Sequence, residues 1–242
     1  MKNLSLPNLK IKLFADGADK KNMIKFSKIK NIAGLTTNPS LMKKSGIKDY
    51  KKFALEVLNK IKNKPISFEV FSDDLNEMYK QAKVINSWGK NVYVKIPVTN
   101  TKGRATYKLI SKLTSEGIKL NVTAILTLNQ VEKVINSVKS DTKVIVSIFS
   151  GRIADTGIDP ENIIKKAVFK TKRKKNIMIL WASTREVFNI FQAIKCKCHI
   201  ITVPFDLLKK LKFYKYNLKK YSLETVKTFY TDARKAGYNI RV

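Results

Sequence analysis

Cysteine is scarce in these 242 residues: Cys196 and Cys198 are the only two, which excludes a disulfide framework. Histidine occurs once, at His199. Three soft or borderline ligands within four residues sit too close for the usual zinc spacing, and no second pair exists elsewhere, so no metal is expected. No apolar run is long enough to span a membrane, and Met1 to Lys10 has no signal-peptide core. A soluble protein in a reducing, cytoplasmic setting is the expectation. No Gly-rich dinucleotide fingerprint or P-loop follows any apolar run, which counts against an open nucleotide-binding sheet. No low-complexity linker or internal boundary interrupts the chain, and 44% hydrophobic content suffices for one large core.

Acidic residues are also few, 18 Asp+Glu against 49 Lys+Arg, for a formal net charge of +31. Such an excess invites a nucleic-acid reading. Arginines are few, however, and lysines are spread along the chain, as at Lys60, Lys62 and Lys64 or Lys102, Lys108 and Lys112. A solvated lysine coat serving an anionic small substrate is expected, with no specific nucleic-acid partner. A basic nucleic-acid-binding protein on an inactive scaffold is the alternative from another class.

What is present is an alternation of β-like and helix-like stretches. β-like runs fall at Ile11 to Ala15, Ile32 to Thr36, Ile66 to Phe71 and Asn91 to Pro97. Four more fall at Ile118 to Thr123, Val144 to Phe149, Ile177 to Ala182 and Ile200 to Val203. Helical spacing of apolar residues follows, for example Tyr50, Phe53, Ala54, Val57, Leu58 and Ile61. Eight such units predict an α/β chain forming one domain over residues 1–242. The fold expected is a parallel (β/α)8 TIM barrel over about 11–212, with a further C-terminal helix at about 222–242. A doubly wound open sheet is the runner-up.

Polar residues fall where such a barrel would carry its active site, at the C-terminal strand ends. Asp16, Asn38, Glu69, Lys95, Asn121, Thr123, Ser147 and Ser183 all lie at or near those ends in otherwise apolar runs. Each alone has a bland reading as a cap or loop hydrogen bond, good for Asp16 and Ser183; together they suggest a site. In Asn91 to Pro97, period-2 alternation puts Val92, Val94 and Ile96 on one face and Tyr93 with Lys95 on the other. A solvated edge-strand lysine is the bland reading of Lys95. If it is buried, desolvation favours the neutral amine, a nucleophile toward carbonyls. Attack on a ketose would give a Schiff base, an electron sink for carbon–carbon cleavage. Glu69, mid-strand among apolar neighbours, is the expected acid/base group with a raised pKa, and Asp16 the ionised partner acting on hydroxyls. Thr123 would hold a water, and Asn121 and Asn38 would bind polyol hydroxyls.

A phosphate site is expected at Ser183-Thr184-Arg185-Glu186, where Ser183 and Glu186 have capping-box spacing. Arg185 and Arg152, from neighbouring units, would clamp its oxygens.

Taken together, Phe14-Ala15-Asp16, Thr36-Thr37-Asn38-Pro39-Ser40-Leu41, Phe68-Glu69-Val70, Val94-Lys95-Ile96-Pro97, Asn121-Val122-Thr123, Ala182-Ser183-Thr184-Arg185 and Thr202-Val203-Pro204 resemble the transaldolase family of class I aldolases. The resemblance runs from about residue 11 to 210. It implies transfer of a dihydroxyacetone unit from sedoheptulose 7-phosphate or fructose 6-phosphate to an aldose phosphate, in the non-oxidative pentose phosphate pathway. It implies Lys95 as the Schiff-base lysine, Asp16, Glu69 and Thr123 as acid/base and water-holding groups, and no cofactor. Asn38, Asn121 and Ser147 match hydroxyl-binding positions, and Arg152, Ser183 and Arg185 phosphate-binding ones. In the sister activity, fructose 6-phosphate aldolase, Gln and Tyr hold the catalytic water. Glu69 and Phe149 stand there, which favours the transferase. Three positions depart from the pattern: Gly17 for Thr, His199 for Asp, and a bulky Trp181 expected to share a face with Ser183 and narrow the pocket. Short members form rings, often through a C-terminal tail, so a homo-oligomer is implied. A tail with Val226, Phe229, Tyr230 and Ala233 on one face could equally pack on its own barrel.

Overall fold

The computed structural model describes residues 9–240, so the leader expectation at residues 1–8 and the last two tail residues lie outside the described residues. Eight strands form: β1 Lys12–Asp16, β2 Ile32–Thr36, β3 Ile66–Glu69, β4 Val92–Pro97, β5 Leu120–Ile125, β6 Val144–Ile148, β7 Ile177–Trp181 and β8 Ile200–Pro204. Each pairs in parallel with the next and β8 returns to β1, closing the sheet into a barrel. The expected (β/α)8 fold is the one observed.

Helix α1 (Lys20–Ser27) follows β1, and α2 (Pro39–Lys44) and α3 (Tyr50–Lys60) follow β2. Helices α4 (Leu75–Ser87), α5 (Tyr107–Ser115) and α6 (Leu128–Ser137) follow β3, β4 and β5 in turn. After β6 come α7 (Ser150–Ala154) and α8 (Glu161–Thr171), and after β7 comes α9 (Phe188–Lys195). The chain ends with α10 (Phe205–Lys210) and α11 (Leu218–Lys235). Side-chain caps set several starts. Asp19, Asn38, Asp49 and Asp74 accept from the backbone N–H of Asn22, Leu41, Lys52 and Asn76, each cap worth about 1 kcal/mol.

Strand alternation sorts the side chains into two layers. Val92, Val94 and Ile96 join Val144, Val146 and Ile148 in the layer between strands and helices. Phe14, Tyr93, Ile145, Leu180 and Ile200 fill the barrel interior. Burial of each large side chain stabilises by about 2 kcal/mol, and the interior plug makes the barrel a packed core with functional groups only at its ends.

Two departures from the family pattern acquire a physical account. A Cβ at Gly17 would lie 2.1 Å from the Phe205 ring, which stacks on Phe26 at 5.0 Å between centroids. The space a Thr would take at position 17 is filled by that ring. Trp181 belongs to the outer layer and is fully buried there, while Leu180 and Ala182 face the interior. The expected narrowing of the pocket by Trp181 is therefore corrected: alternation places it outside, and Ser183 leaves the alternation with φ 61°.

The tail also differs from expectation. Helix α11 begins at Leu218, capped by the Asn217 side chain accepting from the Lys220 N–H at 3.0 Å. It has no buried residue, and Val226, Phe229 and Tyr230 are all exposed. Packing of this helix on its own barrel is overturned. An aromatic cluster of Phe213, Tyr216 and Tyr221, with Tyr216 Oη donating to Glu224 Oε1 at 2.6 Å, anchors its first two turns. No helix among the described residues is long and apolar enough to cross a membrane.

Candidate active site

Lys95 stands inside the barrel near the C-terminal end of β4. Because the sheet is closed, β4 lies between β3 and β5 and has no free edge, which removes the solvated edge-strand reading. The register sets Glu69 beside Lys95 and Lys95 beside Asn121, so three polar side chains from adjacent strands share one level. Lys95 Nζ lies 3.0 Å from Glu69 Oε2 and donates to the Thr37 carbonyl at 2.9 Å. The lysine is 6% exposed. A charge removed from water to that extent needs such partners.

Beside this pair runs a chain of neutral hydrogen bonds. Ser147 Oγ donates to Asn121 Oδ1 at 2.6 Å, and Asn121 Nδ2 donates to Ser67 Oγ at 3.0 Å. The chain fixes the Asn121 amide and couples β3, β5 and β6. Thr123 is buried, and its hydroxyl has no partner among the described residues. Immediately after it, Ala124 takes φ 59°, and the β5–β6 register shifts there. Ala124 and Ser183 are non-glycine residues in the left-handed region, both at the barrel mouth, where such strain marks functional turns.

Asp16 accepts from Thr36 Oγ1 at 2.7 Å, and Thr36 Oγ1 lies 2.5 Å from Thr202 Oγ1. With the Thr36 proton directed to the carboxylate, Thr202 donates to Thr36. Burial pushes the Asp16 carboxyl above its usual range; the Thr36 hydrogen bond and the Lys95 ammonium oppose this, and Glu69 adds to it. Glu69 is the partner of the lysine, and the carboxyl that burial raises is that of Asp16, expected from the sequence to be the ionised partner. Its carboxyl binds a proton more tightly folded than unfolded. That contribution is complete below the ordinary value of 3.8 and is lost as the pH rises through the folded value. Asp16→Asn is accordingly expected to raise the urea midpoint at neutral pH, with the gain shrinking toward acid pH. A pH-independent difference would sink this account.

Asn38 is placed at the mouth, but as the N-cap of α2 its oxygen accepts from the Leu41 N–H at 2.9 Å. Its amide N–H groups and the second lone pair of that oxygen remain for a ligand. The expected capping box at Ser183 and Glu186 does not form. Helix α9 starts at Phe188, and the Arg185 and Glu186 N–H groups donate to Asn189 Oδ1 at 2.9 and 3.1 Å. Arg185 Nη2 also pairs with Asp155 Oδ2 at 2.5 Å, both exposed. Arg152 is exposed, its guanidinium 5.8 Å from the centre of the half-buried Phe149 ring. The turns carrying these arginines touch: Gly151 N–H meets the Ala182 carbonyl at 3.4 Å, and a Cβ on Gly151 would lie 1.7 Å from the Ser183 oxygen. A phosphate meeting both arginines would share the Arg185 guanidinium with Asp155.

Thr36, Thr202, Ser67 and the Thr37 carbonyl complete the site through contacts that only the folded chain brings together. Threonine is a favoured strand residue, so its polarity carries little signal. Ser67 was legible, because it lies two residues before Glu69 and shares its face. Cys196 and Cys198 are buried free thiols, raised by burial to about 11 and about 12. His199 Nδ1 accepts from the Ile179 N–H at 3.0 Å, away from the mouth.

A closed β/α barrel with an enclosed lysine–carboxylate pair at the C-terminal ends of its strands places this chain in the class of β/α-barrel proteins with a polar site at that end. The Transaldolase/Fructose-6-phosphate aldolase family matches residues 13–240, and the chain belongs to that family. A "Probable transaldolase" of Nitrosopumilus maritimus is 36% identical over 203 residues, covering 83% of this chain and 87% of its own. Another from Thermoanaerobacter sp. is 35% identical over 231 residues, covering 95% of this chain and 100% of its own. A crystallised protein from Burkholderia cenocepacia J2315 has a TM-score of 0.58 at 10% identity, covering 97% of this chain and 86% of its own. That last likeness concerns the fold alone.

Proposed function

We propose that the chain is a transaldolase, moving a dihydroxyacetone unit between sugar phosphates through a Schiff base on Lys95. The observation that carries this reading is the enclosed Lys95–Glu69 pair at 3.0 Å. Glu69 takes a proton from the ammonium, and the free amine adds to the ketose carbonyl. Loss of water, with proton return from Glu69 through a water held by Thr123, gives the protonated imine. Asp16, its carboxyl raised by burial, removes the proton of the hydroxyl carried by the far carbon of the bond that breaks. The bond electrons flow into the imine, an enamine remains on Lys95, and the aldose phosphate departs. Reversal with a second aldose phosphate completes the transfer. Asn38, Asn121 and Ser147 would bind hydroxyls, and Arg152, Arg185 and Ser183 the phosphate.

Borohydride reduction in the presence of fructose 6-phosphate, followed by peptide mapping, tests the reading. A three-carbon adduct on Lys95 supports it, and an unmodified Lys95 in folded protein at saturating ketose overturns it. The second reading, aldolase cleavage with release of dihydroxyacetone, is disfavoured by Phe149, which cannot donate to a water. Phe149→Tyr is expected to raise dihydroxyacetone release relative to transfer by about tenfold. An unchanged ratio in a coupled assay would remove Phe149 from this role.

The exposed apolar face of α11 supports self-association as a homo-oligomer. Val226→Asp with Phe229→Asp should lower the sedimentation coefficient of the full chain. An identical coefficient would show that this face is not the contact. A sugar-phosphate substrate and two buried thiols are also compatible with a cytoplasmic setting.

A further inference from the structure

A cavity of about 1240 Å³ lies at the other end of the barrel, around the N-terminal strand ends. Its chemistry is unlike that of the catalytic mouth. Lys12 opens β1, and Lys119 and Lys143 immediately precede β5 and β6. Lys62, Lys139 and the run Arg173 to Lys175 reach it from the connections. Eight cations thus line it against a single carboxylate, Asp141, whereas the whole chain has 49 against 18. At the whole-chain ratio nine charged residues would include two or three carboxylates, so the lining is only modestly poorer in acid than the coat, and what sets it apart is its concave form.

None of the eight forms an ion pair among the described residues, although nine such pairs occur elsewhere. Several are instead held by neutral acceptors. Lys119 Nζ donates to the Lys90 carbonyl and Lys174 Nζ to the Ile135 carbonyl, the latter at 2.9 Å. The Lys119 ammonium is pushed down by burial and further by Lys143, so mutual repulsion reaches across the cavity. The bottom of such a barrel ordinarily serves stability, and unpaired like charge opposes it.

We propose that this cavity is a binding site for a compact molecule carrying several phosphate groups. A single phosphate would gain little, since one exposed ion pair is worth about 0–1 kcal/mol, so several must act together. A nucleic-acid strand fits less well. The floor residues Phe14, Tyr93 and Ile145 are buried at 2%, 6% and 0% exposure and offer no aromatic face for base stacking. The site is concave and separate from Lys95, so its occupancy does not depend on the transaldolase reading.

Calorimetric titration of the full chain with inorganic tripolyphosphate, ATP, orthophosphate and a single-stranded oligoribonucleotide tests it. Tripolyphosphate and ATP are expected to bind saturably, at least about tenfold tighter than orthophosphate. Either order of the two supports the site, equal affinity assigning recognition to the phosphate chain and tighter ATP adding a nucleoside contact. Combining Lys119→Gln, Lys143→Gln and Arg173→Gln should weaken tripolyphosphate about tenfold or more. Combining Lys51→Gln, Lys108→Gln and Lys166→Gln, exposed residues outside the cavity, should weaken it less than about threefold. Equal losses, tighter binding of the oligoribonucleotide, or no saturation would overturn the proposal. Should the cavity variant fail to fold, acetylation footprinting of the unmodified chain decides. Tripolyphosphate must protect Lys119 and Lys143 more than Lys51 and Lys108, and equal protection would overturn the site.

Discussion

Turnover by Lys95→Met is expected to fall by more than about 10³-fold, with no borohydride-trappable adduct and the barrel still folded. Methionine keeps an unbranched chain of similar length in the space between Glu69 and Asn121 but offers no nitrogen to the carbonyl. The variant also leaves Glu69 without its cation while that side chain is only 16% exposed. Loss of one partner of a well-buried pair costs about 3–5 kcal/mol, and the residual exposure of Glu69 places the expected loss below that range. Circular dichroism at the assay temperature separates lost chemistry from lost fold. A folded Lys95→Met protein with near-normal transfer would remove Lys95 from the reaction.

The second large effect lies on the phosphate side. Gly151→Ala would put a Cβ 1.7 Å from the Ser183 carbonyl oxygen and 2.9 Å from its carbonyl carbon. Both are backbone atoms, so no side-chain rotation relieves the clash. Ser183, already at φ 61°, has little freedom to retreat. The β6 and β7 turns must separate, at a cost of about 3 kcal/mol. Separation also displaces Arg152 and Arg185 relative to one another, so KM for the sugar phosphate should rise about tenfold or more. Urea unfolding and steady-state kinetics check the two parts independently. Unchanged stability would show that the turns do not meet as closely as Gly151 and Ser183 do here.

Much of this protein was legible because the signals are local. Val92, Val94 and Ile96 against Tyr93 and Lys95 is a period-2 pattern, and any strand built from it points the lysine away from the helix layer. Helix starts at Asp49 and Asp74 follow from short side chains that reach their own backbone. Errors arose where the same local chemistry has two outlets. Ser183 and Glu186 have capping-box spacing, yet the left-handed turn at Ser183 moves the helix start to Phe188, and Asn189 satisfies the free amides. Alternation continued to Ser183 would turn Trp181 inward, but it ends at Ala182. Asn38 has a local task that the spacing alone does not reveal, its oxygen capping α2.

By itself the sequence determined the eight β/α units, the inward face carrying Lys95, and the set of polar residues at the strand ends. These depend on the order of neighbours along the chain. Only the tertiary structure decided how those groups share charge. Register brings Glu69 to Lys95, and closure brings Thr202 to Thr36, 166 residues away, to support Asp16. Closure likewise gathers lysines from distant connections around one cavity. Burial then decides which carboxyl is raised, because desolvation depends on everything packed around a group and not on the residues beside it in the chain.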